Sequence, residues 1–108
     1  GFTLHSDFPV VDPDPLHMIE MAVTRKTWKE PDYVLAPEER ISVESAIRAV
    51  TINGAWQTNS ETEVGSLEAG KFADFVILEA DPRKVDPDTI KDIKVLETWM
   101  NGTQTYAA

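Results

Sequence analysis

A chain of 108 residues, 42% of them hydrophobic, is long enough for one domain core and too short for two. Its formal net charge of −9 is spread along the chain and argues against nucleic acid and anionic membranes as partners, and no segment is apolar enough to span a bilayer. The absence of cysteine excludes disulfides, thiolate zinc sites and thiol nucleophiles, so any metal would need histidine and carboxylate ligands.

The first predicted element is a strand over Phe2 to Ser6, which the Phe8-Pro9 step ends. Alternate residues of a strand face the same side, so His5 and Asp7 would point the same way at its carboxyl end. Barrels and open α/β sheets carry their chemistry at that end. The alternative interpretation is a turn aspartate that accepts backbone hydrogen bonds beside an unrelated histidine.

A helix and a loop follow this strand. Asp14 can cap the helix and Pro15 suits its first position, and the apolar spacing predicts a helix over Leu16 to Trp28. His17 lies off the apolar stripe, so we interpret it as a surface or edge residue. Lys29 to Arg40 is polar and contains two prolines, which is typical of a surface loop.

The second helix is predicted over Ser42 to Trp56. Ser42 is a good capping residue, and apolar side chains recur after it with helical spacing. Asn53-Gly54 weakens the last part of this helix, either by ending it or by costing about 1 kcal/mol relative to alanine.

The carboxyl-terminal half has the pattern of short strands and turns. Gly65 and Gly70 mark turns, and the apolar run from Phe72 to Leu78 predicts a strand that is covered on both faces. Asp86-Pro87 can start a short helical turn that runs through Ile90. The last stretch predicts a β-hairpin with Asn101-Gly102 as a type I′ turn.

This order of elements is unusual for a complete domain. A single amino-terminal strand needs neighbouring strands to pair with its backbone, and the later strands are distant and connected antiparallel. We therefore expect the partners of the first strand to lie outside this chain, ahead of Gly1.

Four stretches resemble the carboxyl-terminal end of the amidohydrolase superfamily, in particular the family 3 branch with its N-substituted formamide deformylase-like enzymes. They occur in the family's order and together span nearly the whole chain: "HSDFPV" with "DPLHMIEMAVTR", "ERISVESAIRAVTINGAW", "GSLEAGKFADFVILEADP" and "IKVLETWMNG".

The resemblance implies a fold class for this chain, an α+β fragment of a larger enzyme. Residues 1–58 would be the end of a (β/α)₈ barrel, with its last strand, its last helix and an added helix. Residues 59–108 would be the carboxyl-terminal part of a small β-sandwich. The rest of the barrel would then supply the missing strand partners.

The resemblance also implies a role for Asp7, which matches the family aspartate at the end of the last barrel strand. That aspartate carries protons during hydrolysis of a non-peptide carbon–nitrogen bond and often also contacts a divalent metal, expected here to be zinc. His5 would support that site or line the substrate pocket, with a purely structural role as the alternative. The metal-binding His-x-His pair and the later histidines of the family are absent here, so the isolated chain is expected to bind no metal and to be inactive.

A different class of function remains open, a free-standing noncatalytic β-rich domain that binds a partner and in which Asp7 is only a turn residue. The enzyme interpretation implies a small amide-type substrate and is compatible with an oligomer. The lack of cysteine fits a cytoplasmic location. Substrate specificity in such barrels comes from loops after earlier strands, which this sequence does not contain.

Overall fold

A computed structural model describes all 108 residues and shows a small α+β fold with three helices and one sheet. Short 3₁₀ turns cover Pro37–Glu39 and Pro87–Asp92. The helices are α1 (Pro15–Thr24), α2 (Val43–Val50) and α3 (Ile52–Gln57), and the strands are β1 (Phe75–Leu78), β2 (Val95–Met100) and β3 (Thr103–Ala107). No helix is long and apolar enough to cross a membrane.

The amino-terminal segment is not a strand, contrary to the prediction for Phe2 to Ser6. A strand needs a neighbour that accepts and donates backbone hydrogen bonds, and the three strands of this chain pair only with one another. Residues 1–6 consequently make no backbone–backbone hydrogen bond. The chain then turns at residues 7–10, where the amide of Val10 donates to the carbonyl of Asp7 at 2.9 Å.

Helix α1 begins where the sequence predicts and ends four residues earlier. The Asp14 carboxylate accepts the amides of Leu16 at 3.0 Å and His17 at 3.3 Å, and Pro15 occupies the first helical position. Arg25 ends the helix in the left-handed conformation, with φ of 58°. Beyond it, Lys26 pairs with Val34 in an isolated antiparallel bridge, which removes the predicted last turn.

The predicted second helix is in fact two helices. The Ser42 hydroxyl caps α2 by accepting the amide of Ser45 at 3.1 Å, as expected for this residue type. The break falls at Thr51, with φ of −123° and ψ of −100°, and not at Asn53-Gly54. The Asn-Gly pair instead lies inside the first turn of α3, so of its two predicted roles the helix end is wrong, and the alternative of a helix that runs on to Trp56 is confirmed.

The sheet has the order β1-β2-β3 and is antiparallel throughout. Asn101 and Gly102 have φ of 48° and 73°, which confirms the predicted hairpin turn with two positive φ values. Strand β1 begins three residues later than predicted, and Val76 and Ile77 are 53% and 40% exposed. The prediction that this strand is covered on both faces was therefore wrong for the chain as it stands, because the chain supplies no second layer.

The hydrophobic core is a small cluster that joins α1 and α2 to the 3₁₀ turn before β2. Its buried members are Leu16, Ile19, Ala46, Ile90 and Ile93. The cluster thus contains residues from both parts of the chain that the sequence analysis separates. The division into residues 1–58 and 59–108 stays a prediction.

Candidate functional site

Asp7 lies exposed at the first position of the turn that follows the amino-terminal segment. Its φ is 52°, in the left-handed region, which an aspartate tolerates better than most residues. Its carboxylate accepts no hydrogen bond from the protein, whereas its carbonyl accepts the amide of Val10. The carboxylate is therefore free to contact a molecule from outside this chain.

His5 is held beside Asp7 by a backbone contact. The amide of Asp7 donates to Nδ1 of His5 at 3.2 Å, and the His5 side chain is otherwise exposed. Nδ1 accepts this bond, so the ring hydrogen of the neutral imidazole lies on Nε2, which points away from the contact. The two predicted site residues are neighbours as expected, but through a turn and not through a shared strand face.

A cleft of about 330 Å³ runs between the amino-terminal segment and α1. Both histidines of the chain line it: His5 on one side, and His17, partly buried, on the helix. Met18, Met21 and Trp28 form much of its apolar wall. Asp7 does not line this cleft, so its carboxylate and the His5 ring face different surroundings.

The residues of this chain do not by themselves fit a metal ion. No group of three or more His, Asp or Glu side chains lies close enough together to hold one. His5 and Asp7 could supply at most two ligands, whereas a catalytic zinc site uses about three protein ligands. Any metal near Asp7 would need further ligands from outside the chain.

The sequence matches the model of the amidohydrolase family over residues 2–106. This chain belongs to the amidohydrolase family. It is 33% identical over 104 residues to the N-substituted formamide deformylase of Arthrobacter pascens, and 42% identical over 105 residues to protein LONG AFTER FAR-RED 3 of Arabidopsis thaliana. These matches cover 96% and 95% of this chain. Enzymes of the amidohydrolase family are generally metal-dependent.

A solved amidohydrolase structure from Thermotoga maritima has the same fold over 98% of this chain, with a TM-score of 0.71 and 20% identity. The chain covers 23% of that structure, and it spans only 19% and 17% of the deformylase and the Arabidopsis protein. This amidohydrolase chain therefore corresponds to about a fifth of its relatives.

One buried charged residue, Glu20, is not among the predicted site residues; it is 7% exposed. Its carboxylate accepts the backbone amide of Lys91 at 3.1 Å and the Lys91 ammonium at 3.0 Å. The hydrogen bond that the Lys91 ammonium donates to Glu20 raises the pKa of Lys91 above its usual 10.5, against the opposing effect of desolvation. The signal was available in the sequence, because Glu20 follows Leu16 by four residues and therefore lies on the buried face of α1.

Proposed function

We propose that this chain is the carboxyl-terminal part of a metal-dependent amidohydrolase that hydrolyses a non-peptide carbon–nitrogen bond in a small amide-type substrate. The single observation that carries this is the family match over residues 2–106. The small share of each relative that the chain covers supports its being one part of a larger enzyme, and the name of the Arthrobacter pascens relative, N-substituted formamide deformylase, supports the bond type. A cytoplasmic location stays a prediction.

In this proposal Asp7 carries protons. Hydrolysis of an amide at neutral pH requires that the attacking water loses a proton and that the leaving amine gains one. One carboxylate within hydrogen-bond reach of both atoms can accept the first proton and donate the second. The Asp7 carboxylate suits this task because it is exposed and accepts no hydrogen bond within the chain. His5, with its backbone contact to Asp7, is proposed to line the substrate pocket or to support the site.

The surface of the chain supports its being part of a larger fold. Its accessible surface is 7683 Å², compared with about 6,000 Å² expected for a monomeric protein of this mass. Its radius of gyration is 14.5 Å, compared with about 13 Å for a compact domain of this length. The lack of backbone–backbone hydrogen bonds in residues 1–6 is consistent with these values. We propose that the rest of a barrel covers this surface and pairs with the segment as its last strand.

A divalent metal, expected to be zinc, would supply the activated water in the full enzyme. Since this chain brings no group of three ligands together, we propose that the remaining ligands lie in other segments of the enzyme. The chain alone is then expected to be inactive. Purified chain that contained stoichiometric zinc and turned over an amide substrate would contradict this.

The substitution Asp7→Asn in the full-length protein tests the proton transfer. It removes the base and keeps the size of the side chain, so the rate should fall by about 10²- to 10⁴-fold. Formate release from N-butylformamide is a suitable assay, with Asp12→Asn as the matched control, because Asp12 is another exposed acid in the same loop. Wild-type rates in the Asp7 variant would refute the role of Asp7 as proton carrier.

A further inference from the structure

Two side chains on helix α3 hold the amino-terminal segment. The Asn53 amide nitrogen donates to the carbonyl of Phe2 at 2.8 Å, and the Thr3 hydroxyl donates to Oε1 of Gln57 at 2.8 Å. Asn53 and Gln57 are four residues apart and therefore lie on the same face of the helix. The Asn53-Gly54 pair, for which the sequence suggests only a helix end or a weakened last part of the helix, thus has a specific contact 51 residues away in the chain.

These contacts are the principal tether of the segment. Its backbone makes no backbone–backbone hydrogen bond before residue 7, and only Leu4 of the segment packs against the hydrophobic cluster. An apolar contact such as that of Leu4 is non-directional and tolerates sliding. The hydrogen bonds of the Phe2 carbonyl and the Thr3 hydroxyl do not tolerate sliding, because each requires a particular residue at a particular place.

We propose that Asn53 and Gln57 are positioning residues that fix the register of the amino-terminal segment and thereby place the Asp7 carboxylate. This inference rests on the proposed function of Asp7. In the full enzyme, where the segment is proposed to be a strand, a slip by one residue would move Asp7 by about 3.3 Å and reverse the side on which each side chain points. Proton transfer needs heavy atoms about 2.6–3.2 Å apart, so such a slip would remove the carboxylate from its reacting partners.

A matched pair of charge variants tests the tether in the full-length protein. Asn53→Asp replaces the donor to Phe2 by an oxygen that repels the carbonyl. Gln57→Glu adds the same charge but keeps the oxygen that accepts from Thr3. The helix dipole opposes the expected order of effects, because an acid is favourable in the first turn of α3 and unfavourable in the last. A larger effect of Asn53→Asp therefore cannot come from the interaction of its charge with the helix dipole.

Hydrogen–deuterium exchange of residues 2–8 is the first measurement. Asn53→Asp should raise their exchange rate by about tenfold, and Gln57→Glu by less than about twofold. The β2–β3 hairpin should exchange at the same rate in both variants, since a general loss of stability would raise exchange there too. Equal exchange of residues 2–8 in the two variants would overturn the proposal. If Asn53→Asp does not fold, Thr3→Val removes the second bond alone, and an unchanged exchange rate in that variant would also overturn it.

Kinetics with N-butylformamide is the second measurement. Asn53→Asp should lower kcat by at least about tenfold with KM unchanged, whereas Gln57→Glu should keep both values. Equal kcat in the two variants would overturn the positioning role even if the segment is tethered. The Asp7→Asn variant tests the proposed proton carrier separately. If that variant were fully active while Asn53→Asp still raised the exchange rate of residues 2–8, the proton-carrier role would be refuted and the tether would stand.

Discussion

Alanine substitutions at Gly65 and Gly70 test how closely the turn at Gly65 packs against helix α3. Both have strongly positive φ, +91° and +94°, as turn glycines can adopt. A Cβ atom on Gly65 would lie 2.6 Å from Cβ of Ala55 and 3.0 Å from Cα of Ile52, whereas one on Gly70 would meet nothing within 4 Å. Alanine substitutions at the two positions therefore share the backbone strain and differ in the steric clash.

The two contributions can be estimated separately. An alanine with positive φ costs about 1–2 kcal/mol at either site. Overpacking adds about 1–3 kcal/mol at Gly65 alone, because Ala55 is buried and the Ile52 contact is with backbone. We expect Gly65→Ala to lower the free energy of unfolding by about 2–5 kcal/mol and Gly70→Ala by about 1–2 kcal/mol.

Urea denaturation followed by circular dichroism measures both values with the same baseline. Adding Ala55→Gly to the Gly65→Ala variant removes the closest contact, so the two substitutions together should destabilise less than the sum of their separate effects, by about 1 kcal/mol. Equal losses in the Gly65 and Gly70 variants would refute the close packing of this turn on α3. A strictly additive double variant would refute the Ala55 contact in particular.

Two further predictions concern ion pairs. Glu20→Ala should lower the free energy of unfolding by about 1–3 kcal/mol, because the Lys91 amide loses its acceptor. Glu20→Gln should cost less, since its carbonyl oxygen can still accept that amide. The pKa of Lys91 is raised by Glu20, so the stability from this pair is complete below pH 10.5 and is lost as the pH rises further. Above pH 10.5 the thermal midpoint of the wild-type protein should fall more steeply with pH than that of the Glu20→Gln protein. Equal slopes in the two proteins would contradict this. Hydrogen bonds from Arg83 lower the pKa of Asp81 from 3.8 to about 2, so the stability from this contact is complete above pH 3.8 and is lost as the pH falls toward 2. An NMR titration should find that midpoint, and Arg83→Gln should return it toward 3.8; the same midpoint in both proteins would disprove the contact.

The elements that the sequence predicts well are those set by interactions within a few residues. Asp14 with Pro15, and Ser42, start helices through contacts that reach only two or three residues along the chain. The Asn101-Gly102 turn depends on the φ values that these two residue types tolerate. Such local preferences act in the same way whatever surrounds them.

The errors arise where distant contacts decide. Helix α1 stops at Thr24 because Arg25 turns left-handed and its Nε donates to the carbonyl of Leu35, ten residues later. The helix break at Thr51 has no glycine or proline to announce it. Neither feature follows from hydrophobic periodicity, so the end of α1 was predicted four residues too late and the break between α2 and α3 was missed.

The candidate site follows the same division between local and distant effects. The sequence places His5 and Asp7 two residues apart, and the structure keeps them in contact, but the predicted strand that would have aligned them needs neighbours from elsewhere. Asn53 was missed because Asn-Gly is so common at helix ends, and its partner Phe2 is 51 residues away.

These facts bear on how the proposed enzyme would assemble its site. A carboxylate on an exposed turn has no fixed position of its own, so its usefulness as a proton carrier depends on whatever holds the preceding segment. Here one end of that segment is held by α3, and its backbone is free to pair with further strands. If both the contacts with α3 and pairing with a neighbouring strand are needed to position Asp7, the chain alone lacks the neighbouring strand as well as the metal ligands. Adding zinc to the isolated chain should then produce no hydrolysis. Adding zinc together with the rest of the barrel as a separate polypeptide should produce hydrolysis.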